Sequence, residues 1–119
     1  MTREEKQLLI KDTCARLPYG VKCKLWSYDN ESSATTVTIK MSVLDAFIYN
    51  NTLTVKPYLR PMSSMTDEER RVYDELACDF DGTSMANSVD WLNENHFDFR
   101  NLIEKGLALE SPGDMYKTE

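Results

Sequence analysis

An α+β fold is predicted: an N-terminal helix, a small antiparallel sheet of two to four strands, and three C-terminal helices packed on that sheet. Three observations predict it. Apolar residues alternate with period two between Val21 and Met41, and they recur at three- and four-residue spacing before and after that stretch. Between the regimes lies Lys56 to Glu69, where Pro57 and Pro61 fix φ and push their neighbours toward extended geometry. Strands grouped first and helices grouped after them argue against a doubly wound parallel sheet.

The N-terminal helix follows from Thr2 and Glu5, which have the spacing of a capping box, and from the good helix formers up to Arg16. Leu8, Leu9, Ala15 and Leu17 are its expected buried side; Pro18 stops it and Gly20 permits the turn that follows. Along Val21 to Tyr28, Val21, Cys23 and Leu25 point one way, and Lys22, Lys24, Trp26 and Tyr28 the other. Thr35 to Met41 alternates again and pairs with it as a hairpin across a turn-rich Asp29 to Ala34. Ser42 to Val55 carries mixed signals, with helical spacing at Val43, Leu44, Phe47 and Ile48 and a turn at Asn50 and Asn51; a third strand or irregular crossing is the favoured reading.

Lys56 to Pro61 then runs as a stiff strap. Thr66 and Glu69 form a second capping box, opening an amphipathic helix with Val72, Tyr73, Leu76, Ala77 and Phe80 on one side and Gly82 at its end. A short helix over Val89 to Asn95 presents Trp91 and Leu92. Asp98 caps a third helix, with Phe97 and Leu102 as its hydrophobic staple and Gly106 as its left-handed stop. Leu107 to Leu109 has the character of an edge strand.

A chain of 119 residues is one domain on length alone, here residues 1–110 with a tail over 111–119, partly ordered at most, whose Met115 and Tyr116 could dock on the domain. Its 41% hydrophobic and 29% charged content is that of a globular protein. With neither a membrane-length apolar run nor a signal-like start, a cytoplasmic location is expected. Three cysteines without a close pair read as reduced thiols. The net charge of −6 is divided unevenly: residues 1–60 hold nine Lys/Arg against six Asp/Glu, and residues 61–119 hold five against fourteen. The acidic half repels nucleic acid; the basic half need not.

Lys-Pro-Tyr-Leu-Arg-Pro-Met-Ser-Ser-Met-Thr at 56–66, His-Phe-Asp-Phe-Arg-Asn-Leu-Ile-Glu-Lys-Gly-Leu-Ala-Leu-Glu at 96–110 and the opening Met-Thr-Arg-Glu-Glu-Lys carry a resemblance. They resemble a family of small uncharacterised Bacteroidales proteins often carried on prophages and other mobile elements. The resemblance covers both ends and the middle of the chain, and is weakest over Trp26 to Leu53. It implies a mobile-element context and supplies no activity, cofactor or catalytic residue.

Candidate chemistry is sparse. His96 lies two residues before Asp98, an arrangement suited to a general base, but Asp98 already has a role as a helix cap. Cys78 paired with His96 is a further enzymatic possibility. Cys14, Cys23, Cys78 and His96 lack the close pairs of a structural zinc site, and the cluster at Asp67, Glu68 and Glu69 answers a helix dipole; neither a metal nor a cofactor is expected. Cys23 between two lysines reads as a small core residue. Lys22, Lys24, Trp26 and Tyr28, with Lys40, interleave cations and aromatics as a single-stranded nucleic-acid surface would. Their alternative is packing under the C-terminal helices. Lys56, Tyr58 and Arg60 alternate along the strap as a protein-docking ridge, or else Tyr58 and Leu59 pin the strap to the core.

The leading functional expectation is a non-enzymatic protein-interaction module with an unidentified protein partner. Nucleic-acid binding by the basic strand face is the alternative, and a small enzyme using His96 and Asp98 the third. Oligomeric state is open.

Overall fold

The computed structural model describes residues 2–28, 30–50, 52–77, 84–113 and 115–116. The chain is α+β, and its elements run α1 (Arg3–Arg16), β1 (Lys22–Ser27), β2 (Thr35–Thr38), α2 (Met41–Tyr49), β3 (Leu53–Pro61), α3 (Asp67–Ala77), α4 (Ser84–Glu94), β4 (Phe97–Asp98) and β5 (Leu109–Glu110). Among the described residues no helix is long and apolar enough to cross a membrane.

Both capping boxes form. Thr2 Oγ1 accepts from Glu5 N at 3.1 Å while Glu5 Oε1 accepts from Thr2 N at 2.8 Å. Thr66 and Glu69 repeat the exchange at 3.1 and 3.0 Å. Gly20 takes a left-handed φ of 70°, which closes α1 and its following turn before β1 begins.

The sheet is mixed. β1 pairs antiparallel with β2 and β3, whereas β4 and β5 each add two residues parallel to β3. The strap is therefore the second half of a nine-residue strand with neighbours on both sides. Pro57 sits opposite Cys23, and the bond from Tyr28 N to Thr52 O places the hydrogen-bonded pairs of this ladder at even-numbered residues. The missing N–H of Pro57 thus points away from β1, so a proline fits inside the strand without breaking the β1 ladder.

Val21, Cys23, Val55 and Leu59 form one buried face with Ile39, Leu9 of α1 and Phe47 of α2. Leu102, Leu107 and Ala108 complete the core from the C-terminal side. Helical spacing wins over the extended reading of Ser42 to Val55, because a helix there buries Leu44 and Phe47 together. The C-terminal helices pack elsewhere: α3 lies on α4, and α4 reaches β4 and α1.

A third C-terminal helix is replaced by turns over 99–106. Its caps are nevertheless present. Asp98 accepts from Leu102 N and Ile103 N at 2.8 and 2.9 Å, and Gly106 is left-handed at φ 76°. Between them Asn101 adopts φ 59°, a conformation that ends a right-handed helix wherever it occurs. The expected stop at Gly82 and the thiol of Cys78 lie outside the described residues.

Candidate functional site

The inward stripe of α1 is Leu9, Asp12, Thr13 and Arg16, so two charged residues occupy positions the sequence reserves for a core. Both are fully buried. Arg16 Nε and Nη2 grip Asp12 at 2.9 and 3.1 Å, Nη2 also donates to the Phe97 carbonyl at 2.6 Å, and Arg100 Nη1 reaches Asp12 at 2.6 Å. The Phe99 ring lies against both guanidinium groups. Arg16 Nη1 is buried without a partner. Of the expected apolar side, Leu9 is in the core, Leu8 and Leu17 are half-buried against it and Ala15 is half-buried, so apolar spacing found part of the inward face and missed the charged pair within it. The available signal was the i,i+4 spacing of Asp12 and Arg16, opposite charges one turn apart.

His96 lies beyond that cluster, in a left-handed conformation with φ 65°. Its ring stacks on Tyr116 with centroids 3.8 Å apart, and its Nδ1 is buried without a partner. Burial, with Arg16 and Arg60 adding repulsion, pushes its pKa down to about 4. Asp98 spends both carboxylate oxygens on backbone N–H groups, so it is committed to the turn and not to the imidazole. A dyad needs a basic imidazole oriented by a carboxylate; here burial makes the imidazole a weak base and the carboxylate is engaged elsewhere. Cys23 is buried, and that burial pushes its thiol up to about 12, which suits the core role and not that of a nucleophile. Among the described residues no cluster of His, Cys, Asp and Glu is arranged to hold a metal ion.

Tyr116 does more than dock. Continuing the β1–β3 register past Cys23 and Pro57 sets Lys22 opposite Tyr58, and there the Tyr116 hydroxyl replaces a direct ladder bond. It accepts from Lys22 N at 2.9 Å and donates to the Tyr58 carbonyl at 2.6 Å. Beyond this fork, β3 changes neighbours: Arg60 N donates to the His96 carbonyl at 2.7 Å, and Leu59 O accepts from Ser111 N at 2.8 Å. Burial pushes the Tyr116 phenol up to about 12, so it remains a donor across the ordinary pH range.

A cleft of about 610 Å³ opens beside the fork. Its lining includes Arg60, Glu69, Asn95, Glu110, Ser111 and Tyr116. Arg60 and Glu69 meet fork to fork at 2.8 and 2.7 Å, and the Arg60 guanidinium lies 4.2 Å from the centroid of Phe97, whose other neighbour is Trp91. The hydrogen bonds from Arg60 hold the Glu69 carboxyl below its usual range. With Glu69 neutralised in this way, Glu110 gives the cleft a net negative charge.

The strap residues divide. Arg60 lines this cleft, Tyr58 contributes its carbonyl to the fork, and Lys56 lies in a separate hollow of about 530 Å³ with Trp26, Glu5, Glu31 and Lys105. On the basic face, Lys24 sits opposite Lys56 across the sheet and pairs with Glu31 at 3.2 Å. Trp26 is only 9% exposed, which removes it as a stacking platform for bases. Tyr28 is 72% exposed, but at φ 56° it has left the strand.

No family model, curated protein or solved structure matches the chain. Function is therefore argued from the residues themselves.

Proposed function

We propose that the protein is a non-enzymatic interaction module of a mobile element, and that it docks an extended segment of a partner protein in the cleft at the end of β3. The cleft is the observation that carries this reading. Its volume suits a few residues of polypeptide, and its rim offers hydroxyls, an amide and backbone groups as hydrogen-bond partners. Glu110 supplies a carboxylate without an ion pair among the described residues, so the preferred segment carries a lysine or arginine. Arg60 and Glu69 are fixed by each other and by the capping box, which gives the partner a preorganised wall. The low basicity of buried His96 and the commitment of Asp98 to the turn count against the His96–Asp98 dyad.

The test is capture of partners from host lysate by tagged wild-type protein, by Glu110→Lys and by a surface control, Lys11→Ala, each with and without nuclease. A stoichiometric protein that survives nuclease, is lost with Glu110→Lys and is retained with Lys11→Ala is the expected result. Equal retention by Glu110→Lys removes the cleft from the account. A bound set that disappears with nuclease returns Lys22, Lys24 and Lys56 to consideration.

A further inference from the structure

β2 forms one edge of the sheet, and among the described residues no strand pairs with its outer side. The bond from Ile39 N to Val21 O, with the register that sets Val37 opposite Cys23, shows that odd-numbered residues of this strand direct their backbone groups at β1. Thr36 and Thr38 therefore direct theirs outward, away from the sheet. Thr35, Thr36 and Thr38 are exposed, and Val37, on the core side, is half-exposed. Edge strands are ordinarily protected by shortness, a charge, a proline or a bulge, and of these β2 has its length of four residues. From Ser33 to Ile39 this edge has neither charge nor proline.

We infer that this edge pairs with the same edge of a second copy, antiparallel and two-fold symmetric about Val37, so that two sheets become one. In that arrangement Thr36 of each copy faces Thr38 of the other, and the outward N–H and C=O groups of both residues satisfy one another in four hydrogen bonds, the number an antiparallel ladder of two such pairs makes. Val37 meets its own image across the axis as a close, non-hydrogen-bonded pair, and the threonines form cross-strand pairs on the opposite face. No like charges come together along the paired stretch. Beyond its ends, Lys40 of one copy lies opposite Ala34 of the other, and no like charge faces it there. Self-complementarity of this kind is what a two-fold interface requires, whereas an unlike partner strand has no such constraint to meet. The surface is separate from the cleft, and the inference stands whether or not a partner docks there.

Sedimentation equilibrium on the full chain, from micromolar to sub-millimolar concentration, tests it together with Thr36→Pro. That substitution deletes an outward donor and leaves the β1 ladder untouched, a position where an edge strand accepts proline. The wild type is expected to approach twice 13.8 kDa with rising concentration, and the variant, with an unchanged far-ultraviolet circular dichroism spectrum, to remain at 13.8 kDa. A wild type that stays monomeric, or a folded variant that dimerises as the wild type does, overturns the inference. If the variant does not fold, amide exchange of the wild type decides: protection of the Thr36 and Thr38 amides must rise with protein concentration, and protection independent of concentration overturns it.

Discussion

Arg16 and Asp12 show how a charged pair becomes part of an interior. Removing both from water is costly, and their mutual hydrogen bonds, the Phe97 carbonyl and Arg100 offset that cost only while all remain in place. Arg16→Met alone leaves Asp12 buried against Arg100, and is expected to destabilise by about 3–5 kcal/mol in urea unfolding. The double variant Asp12→Leu, Arg16→Met removes the stranded charge and should recover most of that loss; a double variant as unstable as the single would show that the pair adds more than charge compensation. His96 gives a second residue-level prediction. Its folded pKa of about 4 lies below the ordinary 6.5, so the unfolded chain binds the extra proton first as pH falls. Stability from this residue is complete above about pH 6.5 and is lost as pH drops toward 4. Melting temperature against pH should therefore slope upward through that window, and His96→Phe should flatten the slope.

At the scale of elements, the fork in the sheet is held by one hydroxyl. Tyr116→Phe keeps the ring on His96 but leaves Lys22 N–H and the Tyr58 carbonyl facing each other across a gap. Unpaired backbone groups of this kind cost about 1–3 kcal/mol, which denaturant unfolding resolves, and the Lys22 amide should lose exchange protection more than those of Lys24 or Trp26. An unchanged Lys22 amide would mean that the strands close directly without the hydroxyl. Legibility in the sequence also varies by element. α1, the hairpin of β1 and β2, and the start of α3 follow local rules, caps and alternation, and all three are present. α2 carried the right spacing, yet the turn signal at Asn50 and Asn51 with the extended segment after it pointed the other way, and burial of Leu44 and Phe47 decided between them. The turns at 99–106 carried correct signals at both ends and were undone by the left-handed conformation of Asn101, a conformation that Asn tolerates better than most residues but that spacing alone does not mark.

Across the whole molecule, what the sequence concealed is consistently what depends on distant partners. The mixed sheet, the buried Arg16, the Tyr116 bridge and the cleft all require residues far apart in sequence to meet. Of the candidate residues, Arg60 was singled out through proline strapping and alternation, and it lines the cleft. Glu69 was read as a cap and turned out to serve Arg60 as well. Trp26 was visible only as one member of an alternating face, and its burial follows from packing over the sheet that alternation does not encode.

Three of these long connections share a direction: Asp12 to Arg100, Arg16 to Phe97, and Lys22 to Tyr116 span 88, 81 and 94 residues. Each joins an early segment to a residue synthesised well after it. On the ribosome, then, α1 can coil and the hairpin can zip early, yet the guanidinium of Arg16 has no acceptor at Phe97 and the ladder at Lys22 no bridge until those later residues emerge. Until then the nascent chain carries an unbridged rung at Lys22 and an incompletely paired guanidinium at Arg16. That interval is when a chaperone would have most to recognise.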